Sequence, residues 1–227
     1  MDVQPLAIGD LRSCLEQLAS INRVSFGYRP TLAWLGRLLP LLRGRTLSVL
    51  DIGCGHGDTL RRIRRWADHH GIALELQGID INPWAGEIAR AATPQSLAIE
   101  YETSDVFDLP CDRKFDLIIC SLFAHHLDDQ ALKRFLLWMK DHAIIGWFVN
   151  DLRRTKPAYA AVRALVALMN PHPVVRHDGP LSVRRALTRE EWRQITDEAG
   201  FRNARLRQFF PFRIGIAWCH EPSPQQL

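Results

Sequence analysis

The stretch Val49-Leu50-Asp51-Ile52-Gly53-Cys54-Gly55-His56-Gly57-Asp58 decides the fold, because an apolar run ends there in three alternate glycines. The run predicts a buried strand, and the glycines predict a tight turn that opens into a helix. Glycines tolerate positive φ and leave one side of a turn without side chains, so a ligand can lie on the backbone amides at the helix N-terminus. The stretch therefore predicts a loop that binds a nucleotide-type cofactor.

The spacing of these glycines differs from the dinucleotide fingerprint G-x-G-x-x-G. Gly53, Gly55 and Gly57 are spaced G-x-G-x-G, and Asp58 stands where the fingerprint has its third glycine. A carboxylate at that position repels a pyrophosphate. The loop is better suited to a ligand that carries a nucleoside, a ribose and a cationic group.

From Leu50 to Gly57 the chain resembles the first motif of the class I S-adenosylmethionine-dependent methyltransferases, and later segments extend the resemblance over most of the chain. The resemblance implies a Rossmann-like α/β fold and S-adenosylmethionine as cofactor, with S-adenosylhomocysteine as the product. It also implies that Asp51 and the turn at Gly53, Cys54 and Gly55 hold the methionine portion of the cofactor.

An acidic residue also ends the second predicted strand. Asp80 lies a little under thirty residues after Gly53, where the acid of a βαβ unit accepts both hydroxyls of a ribose. NAD-dependent enzymes use the same device, so Asp80 alone does not choose between the two cofactors. Ile81 beside it is expected to pack on the adenine.

The segment after the third strand, Thr103–Pro110, resembles the family's acidic loop, in which an aspartate and the next backbone amide bind the adenine. The resemblance assigns these roles to Asp105 and Val106. An ordinary Asx turn is the alternative. Ser121, at the end of the fourth strand, completes the expected set of cofactor-binding residues.

Strand and helix patterns alternate along the chain and predict a doubly wound, seven-stranded, mostly parallel sheet with ligands at the carboxyl ends of its strands. The family resemblance adds an antiparallel last strand. The predicted strands cover residues 47–52, 73–80, 97–102, 115–121, 143–149, 204–210 and 213–218. Thr188 and Glu191 form a capping-box pattern at the start of the last helix.

The remaining segments divide the chain further. Residues 1–45 are predicted to be an N-terminal helical extension, because leucines recur at spacings of three and four. Residues 46–220 are predicted to be the methyltransferase domain, and residues 221–227 a frayed tail. A substrate or lid insertion is expected at about 153–187, irregular from 170 to 186, since such lengths in compact domains usually serve function.

The composition fits one α/β domain with a large core. The 227 residues include 29 Lys and Arg and 25 Asp and Glu, for a net charge of +4. This mild excess permits a nucleic-acid partner without requiring one, because the arginines at 61, 62, 64 and 65 also fit a solvated helix face. The five cysteines lack C-x-x-C spacing, and neither a secretion signal nor a membrane-length apolar run is present. A cytoplasmic protein without a membrane span is expected.

Histidines follow the fourth strand, where this family builds the wall between cofactor and acceptor. A phenol has a pKa of about 10, so a nearby histidine assists its methylation as a general base. His126 is the preferred candidate, and His125 and His177 are the others. The alternative is that His125 and His126 stabilise the turn or stack on the cofactor.

Three arginines are candidates for binding the acceptor: Arg29, Arg153 and Arg185. A guanidinium suits a carboxylate or a phenolate. The alternative places Arg29 in solvent and pairs the later arginines with Asp151 and Asp178 as plain salt bridges.

Several acceptor classes are discounted. Ser121–Ala124 lacks the Asn/Asp-Pro-Pro-aromatic tetrapeptide of enzymes that methylate base amines or glutamine amides, and Cys120 lacks the preceding proline of cytosine C5 enzymes. The same segment offers no acidic ligand for a catechol-type metal site, so no metal is expected.

Residues 150–154 and 177–186 are similar to bacterial small-molecule methyltransferases of polyketide and lipidic-phenol pathways. The resemblance implies O-methylation of a small phenolic, quinol-like or polyketide-derived acceptor in secondary metabolism, with a nucleic-acid substrate less expected. An RNA or nucleoside methyltransferase and a non-catalytic cofactor-binding partner protein are the alternatives.

Overall fold

The computed structural model describes residues 6–42 and 44–220, and the predicted tail lies outside them. One mixed sheet has the strand order β3-β2-β1-β4-β5-β7-β6, and only the pairs that involve β7 are antiparallel. The strands are β1 (Leu47–Ile52), β2 (Leu74–Asp80), β3 (Ile99–Thr103), β4 (Phe115–Ser121), β5 (Ala143–Leu152), β6 (Arg205–Phe209) and β7 (Arg213–Cys219). The predicted doubly wound sheet is confirmed.

Helices cover both faces of this sheet. They are α1 (Ile8–Val24), α2 (Arg29–Leu38), α3 (Asp58–His70), α4 (Pro83–Ala91), α5 (Asp129–His142), α6 (Lys156–Met169), α7 (Pro173–Arg185) and α8 (Arg189–Glu198). Successive residues of β1 alternate between two cores: Leu50 packs with Phe135 and Trp192, and Val49 packs with Trp34 and Leu60. Burial on both faces explains why the parallel strands read as continuous apolar runs. Among the described residues, no helix is long and apolar enough to span a membrane.

Helix α8 begins as its sequence predicts. The Thr188 hydroxyl accepts from the Glu191 amide, and the Glu191 carboxylate accepts from the Thr188 amide. The two bonds satisfy backbone N–H groups that the first turn of a helix leaves without partners. The capping box is confirmed.

Strand β5 is three residues longer than predicted. It continues to Leu152 because β7 pairs antiparallel along it, with Asn150 opposite Gly215 and Asp151 opposite Ile214. Asn150 and Asp151 are consequently buried in the sheet instead of leaving it. Isolated strand patterns do not reveal such an extension, since the partner strand lies more than sixty residues later in the chain.

The prediction of an irregular segment from 170 to 186 was wrong, because residues 173–185 form α7 and pack against α6. Gly179-Pro180 suggested a break, and Pro180 does remove one helical hydrogen bond. The helix nevertheless continues and packs against α6 at Gly179, where a Cβ would be in ordinary van der Waals contact, 3.4 Å from methyl groups of Val162 and Val166. Tertiary packing therefore outweighs the local signal. The domain boundaries and the lid role of this helical hairpin stay predictions.

The two predicted N-terminal helices are present and are fastened to the carboxyl ends of the strands. The Asn150 side-chain amide donates to the Gly27 carbonyl at 2.7 Å, and the Arg213 guanidinium donates to the Asn22 side chain at 2.8 Å. Helix α1 also reaches the glycine turn, where a Cβ on Gly55 would lie 3.5 Å from a Leu15 methyl group. These contacts hold α1 beside the glycine turn and the carboxyl ends of the strands.

Candidate active site

The glycine turn after β1 has the backbone that its sequence predicts. Gly53, Gly55 and Gly57 have φ values of 68°, 50° and 74°, a region that favours glycine. The turn's amides, however, are used within the protein: those of Gly53 and Cys54 donate to the Ile79 carbonyl at 2.9 and 3.1 Å. Side chains also cover the two glycines, since a Cβ on Gly53 would lie 3.2 Å from the Phe123 ring and one on Gly55 would lie 3.5 Å from a Leu15 methyl group. The expectation that a ligand lies on these amides therefore needs correction.

Strand β3 places a buried aromatic ring, that of Tyr101, against the last glycine of the turn. A Cβ on Gly57 would lie 2.3 Å from the Tyr101 hydroxyl oxygen, far inside van der Waals contact. The same hydroxyl lies 2.9 Å from Thr93 Oγ1, which fixes the ring. Glycine is thus favoured at position 57 for two reasons: the backbone has a positive φ, and an added side chain would collide with Tyr101 on β3.

Gly57→Ala is expected to lower the free energy of unfolding by about 2–5 kcal/mol, from left-handed strain plus overpacking against Tyr101. Gly71→Ala is the matched control, because Gly71 has φ 65° and an added Cβ there would meet nothing within 4 Å. The control should lose only about 1–2 kcal/mol. Urea unfolding followed by circular dichroism measures both values, and equal losses would contradict the packing role.

Asp80 joins the glycine turn to the end of β2. Its Oδ2 accepts from the Gly55 amide at 3.0 Å, and its Oδ1 accepts from the Asn82 amide at 2.9 Å. Burial raises the pKa of Asp80, and the two amides oppose that rise. Each carboxylate oxygen keeps a second lone pair, so a fixed and largely buried carboxylate is available for two ribose hydroxyls.

Asp51 adds a second buried carboxylate beneath the turn. Its side chain is 2% exposed, and its Oδ1 has no hydrogen-bond partner among the described residues. Burial raises its pKa well above the usual value, and the negative charges of Asp58 and Asp80 raise it further. Asp51 thus offers an acceptor without a partner close to the carboxylates of Asp58 and Asp80. This arrangement fits a positively charged group of a ligand.

The other expected cofactor residues differ in what they offer. Cys54 turns its side chain into the sheet against Gly78, where an added Cβ would lie only 2.8 Å from it, so only the backbone of Cys54 faces the turn. Ile81 is 67% exposed beyond β2, free to cover a planar group. The Ser121 hydroxyl is buried at the end of β4, without a partner among the described side chains and backbone.

The loop after β3 lies beside Asp80, because the Ser104 amide donates to the Asp80 carbonyl at 3.1 Å. Asp105 Oδ1 accepts from the Phe107 amide at 3.0 Å, which is the Asx-type turn proposed as the alternative. This bond uses one oxygen of the carboxylate and orients the other. Val106 is buried in the core, leaving its backbone as the group that can serve a ligand.

His125 and Asp151 form a buried pair at the ends of β4 and β5. His125 Nδ1 lies 2.8 Å from Asp151 Oδ1, and the His125 amide donates to Asp151 Oδ2 at 2.9 Å. The two side chains are 3% and 2% exposed. Because a carboxylate only accepts, Nδ1 carries the proton, and Nε2 is an acceptor that lacks a partner among the described residues.

A buried arginine supports this pair from β7. Burial lowers the pKa of Arg213 to about 10, an effect that Asp151 opposes. Burial also raises the pKa of Asp151, but His125, the Leu152 amide and Arg213 bring it below its usual range. Asp151 is therefore an anion at neutral pH. Sequence reasoning did not connect Asp151 and Arg213 with His125, because the three residues lie on separate elements: β5, β7 and the short 3-10 helix after β4.

The other two candidate bases, His126 and His177, lie outside this buried pair. The rings of His126 and His125 are in contact, with centroids 4.3 Å apart and planes tilted by 35°. His177 is exposed on α7. Helix α7 contacts the short 3-10 helix Ala124–His126, which brings the hairpin close to the histidines.

The expected acceptor arginines are spread over the surface. Arg29 is exposed and lies 5.6 Å from the centre of the Phe26 ring. Arg153 donates to the Gln208 side chain, and Arg185 is exposed at the end of α7. The neighbouring Arg154 forms a salt bridge with Glu191.

The strand order, the glycine turn and the acids that follow β1, β2 and β3 form the arrangement with which doubly wound α/β proteins bind nucleoside cofactors. Residues 49–143 match the methyltransferase domain family. The chain shares the fold of solved S-adenosylmethionine-dependent methyltransferases, and the part of it that matches the methyltransferase domain family carries the glycine turn and the three acids. No curated protein sequence matches it.

Solved structures share the whole fold at low identity. The plantazolicin methyltransferase BpumL, in complex with a triazolic desmethylPZN analog and SAH, is 14% identical with a TM-score of 0.67, covering 94% of this chain and 98% of its own. A SAM-dependent methyltransferase from Aquifex aeolicus is 16% identical with a TM-score of 0.61, covering 92% and 97%. Human N-acetylserotonin methyltransferase with SAM is 16% identical with a TM-score of 0.67, covering 96% and 57%. At these identities the likeness concerns the fold.

Proposed function

We propose that the protein methylates a hydroxyl group of a small phenolic, quinol-like or polyketide-derived acceptor, with His125 as general base. The observation that carries the proposal is the buried His125–Asp151 pair with its unpartnered Nε2. A phenol with a pKa of about 10 stays protonated at neutral pH, so its methylation benefits from a base that lies beside it.

The chain's own residues account for cofactor binding in this proposal. Asp80 binds the ribose hydroxyls, Asp105 and the Val106 backbone bind the adenine, and Asp51 with the turn at Gly53 holds the methionine portion. When bound, S-adenosylmethionine supplies a methyl group on a positively charged sulfur. The acidic groups around the turn favour that positive charge.

The proton of the acceptor hydroxyl passes to His125 Nε2. Asp151 holds the ring through Nδ1, fixes the tautomer and stabilises the imidazolium that forms. Asp151 stays ionised because His125, the Leu152 amide and, to a smaller extent, Arg213 lower the pKa of that carboxyl. Asp151 and Arg213 are positioning residues, since they act on the acceptor only through His125.

Names of similar proteins support this class of acceptor. One structural neighbour is named a putative O-methyltransferase from Nostoc punctiforme, and another is the N-acetylserotonin methyltransferase from human. Metal-independent O-methylation with a histidine base fits the residues present. A cytoplasmic location and a role in secondary metabolism are part of the same proposal.

A matched set of acceptors tests the proposal. A 4-alkylphenol, a 4-alkylaniline and a 4-alkylbenzoic acid share one apolar tail and differ only in the nucleophile. With S-adenosylmethionine supplied, we expect mass spectrometry to show one added methyl group on the phenol and on alkylated hydroquinones. Methylation of the aniline or the benzoate in preference to every phenol would contradict O-methylation of a phenolic hydroxyl.

A further inference from the structure

A second concave site lies outside the residues assigned to the cofactor. It is a cleft of about 410 Å³ between α1, the first two turns of α3 and the end of α4. Four arginines line it, namely Arg23, Arg61, Arg62 and Arg65. None of Asp51, Asp80 and Asp105 is part of its lining.

Two groups of the cleft are fixed in place before any ligand binds. Arg61 donates to the His56 carbonyl at 2.8 Å, to Thr93 Oγ1 at 3.0 Å and to His56 Nδ1 at 2.8 Å. Burial and the charge of Arg61 lower the pKa of His56, so the ring is neutral at neutral pH. Because Nδ1 accepts from Arg61, the ring proton lies on Nε2, which makes His56 a donor to an anion.

Arg62 is oriented by an aromatic ring. Its guanidinium carbon lies 5.3 Å from the centre of the Tyr28 ring, and the Tyr28 hydroxyl lies 2.6 Å from Asp58 Oδ2. A guanidinium that lies over an aromatic ring is held in position, and the N–H groups at its edge stay available to a ligand. Arg23 and Arg65 are exposed at the rim, one on each side of the cleft.

The charge of the cleft is not balanced by the protein. Its four guanidinium groups exceed the two carboxylates of its lining, Glu16 and Asp58, by two positive charges. Within the described residues, no carboxylate lies within ion-pair distance of any of the four arginines. A cleft lined by one sign of charge concentrates ligands of the opposite sign.

We propose that this cleft binds a small phosphorylated ligand through a pyrophosphate or a phosphate monoester. Guanidinium groups form bidentate bonds to phosphate oxygens, and arginines from two helices can surround such a group. The volume suits a small molecule with one or two phosphates. Asp58, whose carboxylate repels a pyrophosphate, accepts a hydrogen bond from the Tyr28 hydroxyl, and the four arginines of the lining outnumber the two carboxylates.

Calorimetry with inorganic pyrophosphate tests the proposal on the protein saturated with S-adenosylhomocysteine, at constant ionic strength. Saturation occupies the cofactor site, so any binding belongs elsewhere. We expect one saturable site, which Arg62→Ala/Arg65→Ala weakens at least tenfold while leaving S-adenosylhomocysteine affinity unchanged. Glu16→Gln, which removes a negative charge from the lining, should tighten binding. Arg61 is left intact because it supports the turn.

Arg189→Ala is the matched control, since Arg189 is exposed on α8 and lies outside the cleft. It removes the same kind of charge and should change pyrophosphate affinity less than twofold. The absence of saturable binding, or an equal loss in Arg189→Ala, would overturn the proposal. Malonate is the dicarboxylate probe, and binding as tight as that of pyrophosphate would overturn the phosphate assignment. None of these results depends on which acceptor is methylated.

Discussion

His125→Asn is expected to lower kcat for a phenolic acceptor about 10²- to 10⁴-fold at neutral pH, the usual contribution of a positioned general base. Asparagine is chosen because its side-chain amide can still donate to Asp151, as Nδ1 of His125 does at 2.8 Å. The variant therefore removes Nε2 with the smallest disturbance of the buried carboxylate. Steady-state kinetics with saturating cofactor measures the effect.

The pH profile separates loss of a base from loss of structure. Above about pH 10 a phenol ionises by itself, so the rate of His125→Asn should approach that of the parent there. His126→Asn is the matched control, and we expect its rate to stay within a few-fold of the parent. A large loss in His126→Asn with an unaffected His125→Asn would assign the base to His126, the residue that the sequence alone favoured.

Asp151→Asn tests the positioning role in the same assay. The neutral amide no longer stabilises an imidazolium, so kcat should fall while the KM for the acceptor changes little. A fall in kcat with no change in its pH dependence would contradict a role through His125.

Asp80→Ala is expected to weaken S-adenosylmethionine binding at least a hundredfold. Two hydrogen bonds from ribose hydroxyls to a buried carboxylate contribute about 3 kcal/mol or more, and the substitution also leaves the amides of Gly55 and Asn82 without their acceptor. Calorimetry measures the loss, and Asp68→Ala on the exposed face of α3 is the control. Micromolar affinity in Asp80→Ala would overturn the ribose assignment.

The pKa of Asp80 adds a dependence on pH. Burial raises this pKa, and ribose hydroxyls are bound best by the ionised carboxylate. Affinity for S-adenosylmethionine should therefore fall as the pH drops through the raised pKa, at a higher pH than for an ordinary carboxyl near about 4. Asp80→Asn has no proton to gain and should lose this component of the pH dependence. An identical pH dependence of affinity in the parent and in Asp80→Asn would contradict this role of Asp80.

The sequence predicted that the proposed cofactor residues lie near one another, because they sit at fixed places in a local pattern. Asp51, the three glycines and Asp80 belong to one βαβ unit, in which chain order sets spatial order. Even there, sequence reasoning assigned the turn's amides to the ligand, whereas Ile79 and Asp80 take those of Gly53, Cys54 and Gly55. Hydrogen bonding between strands is a property of register, which a single strand does not display.

The sequence by itself determined the alternation of strands and helices, the glycine turn and the class of cofactor, because hydrophobic period and backbone freedom are local properties. Only the tertiary structure decided that Gly179-Pro180 lies inside a helix, that arginines of α1 and α3 share one cleft, and that His125 and Arg213 both act on Asp151. These arrangements join residues from elements far apart in the chain. Buried charges and close helix contacts depend on which elements pack together, and the packing exists only after the sheet has formed.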